Sequence, residues 1–259
     1  MYTEEEARKK IIEAGLRLVN EKLAARTWGN ISARISEEEF IITPSGRTYD
    51  SLEMQDLVKV KIKDLSYEGK IKPSSETRIH AGCYAIRKDV DFIIHTHQVY
   101  ASVISVAGQN TDFAPCAGYG LPGTQSLWKK VKISVEENPF SNMFLLNRHG
   151  ALCFGSDYEN AFDNVIELEK KSRALFEANR VEAPERKKRK AFIDDYAQIL
   201  GYGGIALPGE DENAVELIRS KNSLAACYTV NAKPMAFFDV VLQNNIYRKK
   251  YSKLADTNR

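Results

Sequence analysis

Apolar positions near the start of the chain recur at helical spacing. Ala7, Ile11, Ala14 and Leu18 share one face, behind Thr3 and Glu6 in a capping-box arrangement. The pattern predicts an amphipathic helix over residues 3–24. Gly29-Asn30 breaks it, and the period then shortens. Ile31–Ile35, Phe40–Thr43 and Val58–Ile62 predict short strands separated by turn residues, and Val58-Lys-Val-Lys-Ile62 alternates like a strand with one wet face. A helix follows over Ser75–Arg87, entered through Pro73-Ser74-Ser75, then a strand over Asp91–Thr96 and a helix over Val99–Val106. The Gly- and Pro-containing stretch 108–124 reads as a loop. Met143–Asn147 and Ala151–Phe154 predict paired strands around Arg148-His149-Gly150. Asp157–Asn179 predicts a long helix, with Asp157 as N-cap and Ala161, Val165, Leu168, Leu175 and Phe176 near one face.

Past this helix, residues 181–190 combine a proline with a basic run and read as a solvated charged linker. A helix, a Gly-rich turn at Gly201–Gly204, a helix near 211–219, a strand near 224–229 and a helix near 236–252 are predicted after it. No internal repeat has a convincing period. The order of elements predicts an α/β domain over residues 1–180 and a linker with a C-terminal α/β extension over 181–259.

Composition narrows the function classes. Of 259 residues, 43% are hydrophobic, enough for a packed core, which excludes wholesale disorder. Lys plus Arg is 37 and Asp plus Glu 35, so the net charge of +2 argues against a dedicated nucleic-acid binder. No stretch has signal-peptide character or the roughly 20 apolar residues of a membrane span. The expectation is a soluble cytoplasmic protein without membrane partners. Cys83, Cys116, Cys153 and Cys227 form no CxxC pair and read as buried, reduced thiols.

The chain has only four histidines, and their placement carries the candidate chemistry. His95-Thr96-His97 ends a predicted strand, whose period of two turns both imidazoles to one side of the sheet. His149 sits in a turn after another predicted strand. Three imidazoles with one open position form a donor set that a catalytic zinc ion takes. Glu76 lies at a helix mouth, where a carboxylate either meets the helix dipole or serves as a general acid/base beside a metal. The hydroxyls of Ser74 and Ser75, with backbone N–H groups at that helix start, suit an anion such as phosphate. The Thr43-Pro-Ser45-Gly46 turn offers the same chemistry. His80 lies one helical turn after Glu76 and reads as a supporting or packing residue.

Gly29-Asn30-Ile-Ser32, Thr43-Pro-Ser-Gly46, Pro73-Ser-Ser-Glu76, His95-Thr-His97 and Arg148-His149-Gly150 occur in this order. Together they resemble the class II aldolase/adducin family over about residues 5–180. The resemblance implies a three-layer αβα domain around a mostly antiparallel central sheet. It implies His95, His97 and His149 as ligands of Zn2+, with Mn2+ or Co2+ as alternatives, and Glu76 as catalytic acid/base. Asn30, Ser45, Gly46, Ser74 and Ser75 match positions that hold a substrate phosphate. The implied reaction cleaves a ketose 1-phosphate to dihydroxyacetone phosphate and an aldehyde through a metal-stabilised enediolate. Family enzymes are commonly homotetramers with sites at subunit interfaces.

The chain departs from the family's aldolase pattern after His97, where a shorter stretch leads to Gly123-Thr124 and the segment with a proton-donating tyrosine is missing. Tyr119, Tyr247 and Tyr251 are candidates for that donor, and each also reads as structural. Arg148 stands where the family often has asparagine, and it either meets a substrate anion or pairs on the surface. The family's epimerase pattern has a histidine where this chain has Tyr100. A dehydratase of the methylthioribulose-1-phosphate type, or an epimerase on the same metal site, is the alternative reaction. An adducin-like scaffold without chemistry is the alternative of a different class.

Overall fold

A computed structural model describes residues 1–24 and 29–179, together with the backbone of three strands at 215–220, 223–230 and 233–236. Helix α1 (Glu4–Asn20) begins with the expected reciprocal cap: the Glu6 N–H donates to Thr3 Oγ1 and the Thr3 N–H to Glu6 Oε2. Its buried face is Ala7, Ile11, Ala14, Gly15 and Leu18. The helix stops short of residue 24. Strands β1 (Asn30–Arg34), β2 (Glu39–Ile42) and β3 (Val58–Lys61) follow as an antiparallel meander. In β3, Val58 and Val60 are buried while Lys59 and Lys61 are exposed, as the alternation predicts. Two outward lysines also suit an edge strand, because charge discourages pairing with another chain.

Helix α2 (Thr77–Ile86), strand β4 (Phe92–Thr96) and helix α3 (Val99–Ser105) lie where their patterns place them. The segment 108–124 is not all loop, since Cys116–Ala117 forms the two-residue strand β5. Helix α4 (Gln125–Glu137) was not expected. Its buried stripe is only Leu127, Val131, Ser134 and Val135, starting from a Thr124 side-chain cap. Strands β6 (Met143–Leu146) and β7 (Gly150–Gly155) form the predicted hairpin. Helix α5 (Tyr158–Asn179) begins behind Asp157, whose carboxylate accepts the Asn160 N–H at 2.8 Å.

The seven strands run in the order β3-β2-β1-β4-β7-β6-β5. Every pairing is antiparallel except β5 with β6. One face of the sheet is covered by α1, α3 and α5, through Ile11, Ile31, Phe92, Ile94, Val103, Phe162 and Val165 among others. The other face is covered by α2 and α4, through Ile93, Ile79, Leu127, Phe144 and Phe154. The architecture is therefore three-layered, αβα, around a mostly antiparallel sheet. The period of two along β4 sends Phe92 and Ile94 to the first layer and Ile93 to the second. His95 shares the second face.

Strand β1 is the exception that matters for the site. Its alternation of Asn30, Ser32 and Arg34 with Ile31 and Ala33 looks like a half-wet strand, yet all five residues are buried. Helix α2 covers the polar face. Arg34 Nη2 donates to the carbonyls of Tyr84 and Arg87 at 2.7 Å each, and its Nε lies 3.5 Å from Asp91. A buried guanidinium therefore ties the first strand to the end of α2.

The C-terminal strands β8 (Val215–Ser220), β9 (Ser223–Val230) and β10 (Lys233–Ala236) form a separate antiparallel sheet in the order β10-β9-β8. The strand expected near 224–229 is present as β9. The helix expected near 211–219 is corrected, because Val215–Ser220 is a strand. Val-Glu-Leu-Ile-Arg-Ser satisfies either period, and six-residue pairing with β9 decides between them. The expected linker, the Gly201–Gly204 turn and most of the final helix fall outside the described residues. Among the described residues, Cys83, Cys116 and Cys153 are free thiols, and no helix is long and apolar enough to cross a membrane.

Arg34→Met removes two charged hydrogen bonds to buried carbonyls. The expected loss is about 1.5–3 kcal/mol of folding stability, read as a lower urea midpoint at unchanged m-value.

Candidate active site

The site forms where three strand ends meet the start of α2. Asn30 on β1 lies directly opposite His95 on β4, and Thr96 lies opposite Ala151 on β7. This ladder brings together residues far apart in the chain. Two close approaches need glycine. Gly29 has φ +93°, and a Cβ there would sit 2.4 Å from the His95 carbonyl oxygen. At Gly150 a Cβ would lie 2.4 Å from the Thr96 carbonyl oxygen and 3.1 Å from His97 Cδ2. No side chain fits at either position without parting the strands that carry the histidines.

His95, His97 and His149 present nitrogens all within 4.8 Å of one another. His95 Nδ1 lies 2.7 Å from the Ala151 carbonyl, so Nδ1 carries the proton and donates. Nε2 is then left as a lone pair. It faces His97 Nε2 at 3.1 Å, near the edge of about 3.4 Å expected for a tetrahedral zinc site with bonds of about 2.0–2.1 Å. His97 is held by its surroundings. Thr96 Oγ1 donates to Gln98 Oε1 at 2.7 Å, and Gln98 Nε2 donates to the Val165 carbonyl at 3.1 Å. His149 sits in the β6–β7 turn, its N–H bonded to the Leu146 carbonyl. Burial pushes its imidazole down to about 3 despite the nearby Glu76 carboxylate, so it is neutral, as a ligand must be.

Glu76 is the fourth member. It occupies the N-cap position of α2 but makes no side-chain cap, so its carboxylate is not spent on the helix. Ser74 Oγ accepts the Glu76 N–H at 3.2 Å just ahead of the helix. Glu76 Oε2 lies 3.0 Å from His95 Nε2 and accepts from Asn30 Nδ2 at 3.2 Å. Oε1 lies 3.4 Å from His149 Nε2 and has no hydrogen-bond partner among the described residues. Burial raises the carboxyl, but the facing imidazoles, His149 first and then His95, outweigh it and hold Glu76 well below the usual range. A buried carboxylate facing three imidazoles, with one oxygen unmatched, is a donor set that fits a divalent cation.

The two hydroxyl-bearing turns lie side by side. Pro44 and Pro73 form a β-bridge, the Ser45 N–H donates to the Lys72 carbonyl, and the Ser74 N–H to the Thr43 carbonyl. Ser45, Gly46 and Ser75 are exposed along this joint, whereas Ser74 is buried. Gly123 adjoins it from a third loop, its Cβ position 3.4 Å from Ser75. Asn30 is deeper, buried between Glu76 and His80. Arg148 takes φ +60°, which explains the asparagine common at this place in the family, since Asn tolerates left-handed backbone. Its guanidinium lies 5.8 Å from the centre of the Tyr119 ring, so these two candidates meet beside the His149 turn. Tyr100 instead stacks on Phe176 with centroids 5.4 Å apart. Tyr247 and Tyr251 lie outside the described residues.

The Ala151 carbonyl is not visible in the sequence, and Gly150 and Gly123 stand in its motifs without a role. The first is a backbone group, invisible in residue identity. Ser32 was quoted in a motif without a role, although its strand parity with Asn30 was a usable signal.

The family described as Class II Aldolase and Adducin N-terminal domain matches residues 9–176. The chain is 29% identical over 175 residues to L-fuculose phosphate aldolase of Escherichia coli strain K12, covering 62% of this chain and 78% of that protein. It is 26% identical over 187 residues to an L-ribulose-5-phosphate 4-epimerase of Salmonella paratyphi B, covering 64% and 82%. Among solved structures, an L-fuculose 1-phosphate aldolase superposes with a TM-score of 0.61 at 26% identity, covering 80% of this chain and 92% of that one.

Gly150→Ala is expected to wedge β7 from β4 and displace His97. Bound divalent metal per chain, measured by mass spectrometry after loading and dialysis, should fall well below that of the parent protein. Stability should fall by about 1–3 kcal/mol, as overpacking costs.

Proposed function

Because the chain belongs to the class II aldolase and adducin family, we propose that it is a metal-dependent aldolase that cleaves a ketose 1-phosphate to dihydroxyacetone phosphate and an aldehyde. The observation that carries the proposal is the Glu76 carboxylate, turned away from its own helix and set 3.0 Å from His95 Nε2 and 3.4 Å from His149 Nε2. Structural carboxylates at helix starts cap the helix; this one faces an imidazole cluster instead.

In this reading His95, His97 and His149 hold the cation, Zn2+ first among the candidates. When bound it supplies Lewis-acid polarisation of adjacent substrate oxygens. The protein's own groups do the rest. Ser45, Gly46, Ser74 and Ser75 line the joint between two turns, where hydroxyls and the N–H groups at the start of α2 receive the phosphate. Asn30 completes that pocket from below, with Nδ2 also on Glu76. The phosphate thereby fixes the distance between Glu76 and the reacting carbons. In cleavage the bond between carbons 3 and 4 breaks, the carbon-4 hydroxyl loses its proton, and the electron pair stays on the phosphate-bearing fragment. The proton lost by the carbon-4 hydroxyl is relayed to Glu76, which delivers it to carbon 3 of that fragment and takes it away in the reverse direction. Tyr119 is the described candidate for that relay, taking the proton from the carbon-4 hydroxyl as its own phenolic proton passes on, with the Arg148 guanidinium 5.8 Å from its ring centre. Residues 1–180 are assigned to this chemistry and 181–259 to an extension, in a cytoplasmic homotetramer.

Epimerisation is the second reading, favoured by the relative of that activity. Against it, the position where the epimerase pattern has histidine is Tyr100, used here for packing on Phe176.

The test is a panel of ketose 1-phosphates, with dihydroxyacetone phosphate release coupled to NADH oxidation. Glu76→Gln should lower kcat by about 10²–10⁴-fold, as loss of a general acid/base does, with bound metal retained. Loss of substrate without dihydroxyacetone phosphate would replace the aldolase reading by dehydration or epimerisation.

A further inference from the structure

One buried chain of polar groups is not absorbed by the reaction. Tyr84 Oη lies 2.8 Å from Ser32 Oγ, and Ser32 Oγ lies 2.6 Å from His80 Nδ1. His80 Nε2 bonds Asn30 Oδ1, and Asn30 Nδ2 donates to Glu76 Oε2. Ser32, His80 and Tyr84 are completely inaccessible, and Asn30 and Glu76 nearly so. Such groups are tolerated in a core only when their hydrogen bonds are made, so the order of donors is worth following through.

The direction of every bond is determined from one end. The Asn30 amide turns Nδ2 toward Glu76 Oε2. Oδ1 then faces His80, and Nε2 must carry the proton. Burial pushes His80 down to about 3, so the ring has one proton and Nδ1 is an acceptor. The Ser32 hydroxyl donates to it, and Ser32 in turn accepts from Tyr84. Burial pushes the Tyr84 phenol up, which keeps its proton in place. The bonds thus run one way, from Tyr84 to Glu76.

The spacing follows from the two secondary structures. Glu76, His80 and Tyr84 recur every four residues on or at the start of α2, about 6 Å per step. Asn30, Ser32 and Arg34 recur every two on β1, about 6.6 Å per step. The two repeats nearly match, so the helix and the strand meet rung by rung. Arg34 Nη2, donating to the Tyr84 carbonyl, closes the series.

We propose that His80 is a positioning residue: its Nε2–H fixes the Asn30 amide, which holds the Glu76 carboxylate against the imidazole cluster, and Ser32 keeps His80 in the one tautomer that can do this. The link to turnover rests on the reading of Glu76 as acid/base; the tautomer does not. Glu76 needs such a bracket because it lacks a cap bond to its own helix and has three rotatable side-chain bonds.

Long-range 1H–15N correlation spectra of the 15N-labelled, zinc-loaded protein read the tautomer directly. The chain has four histidines, and His80 is assigned by comparison with His80→Gln. The result expected is His80 protonated at Nε2, opposite to His95, which donates through Nδ1. His80 protonated at Nδ1 would overturn the proposal. In the coupled assay, Ser32→Ala should lower kcat tenfold or more, with KM within twofold and metal content unchanged. His80→Gln, which keeps an N–H for Asn30, should lose less than His80→Leu. Equal losses in the two His80 variants, or a Ser32→Ala enzyme with unchanged kcat, would reduce the chain to packing. If the parent protein turns over no ketose 1-phosphate while His80 shows the Nε2–H form, the reaction assigned above fails and the bracket stands.

Discussion

A carboxylate taken out of water must be repaid in hydrogen bonds and nearby complementary groups, and the fold is organised around that requirement at Glu76. The side chain is 6% exposed. Asn30 reaches it from β1, His95 from β4 and His149 from the β6–β7 turn. None of these is near Glu76 in sequence. Each arrives only if β1 pairs with β4 and β4 with β7, and those ladders close only because Gly29 and Gly150 let backbone pass against backbone. The core residues on either side, such as Ile93 and Phe154, are what make the sheet form. The polar cluster decides which sheet ends must coincide.

Much of this was legible in the chain. Periodicity located α1, β3 and α5, which have a long stripe or a clean alternation, while the Pro-Ser-Ser entry marked α2 and a short β-branched apolar run marked β4. The period of two correctly set His95 and His97 on one side. Local pattern was blind to α4, whose buried stripe is thin and whose partners are Gly82 and the α2 face rather than anything nearby in sequence. It misjudged residues 215–220, where both periods fit and a strand partner decides. The alternation along β1 carries no sign that its polar face is buried. Asn30, Ser32 and Arg34 look solvent-facing because polarity is read as exposure, whereas here the polar face is buried under a helix bearing matching donors and acceptors. What a single sequence withholds is the partner, and the polar residues of β1 have no meaning without α2.

Glu169 was never singled out, yet it bears on the same site. It lies on α5 and is half-buried, and it accepts the N–H groups of Tyr100 and Ala101 at 2.9–3.1 Å. Burial raises its carboxyl and those backbone bonds oppose the rise. It anchors α3 two residues after Gln98, and so steadies the link that carries His97.

Two helices begin within a few residues of the imidazole cluster, α2 after Glu76 and α3 after Gln98. Both offer an electropositive end. At α3 the protein has already filled that end with its own carboxylate. At α2 the corresponding carboxylate is turned aside, and serine hydroxyls stand in its place. Of two helix starts beside one imidazole cluster, that of α3 is thus neutralised from within the chain, whereas that of α2 keeps serine hydroxyls beside its N–H groups.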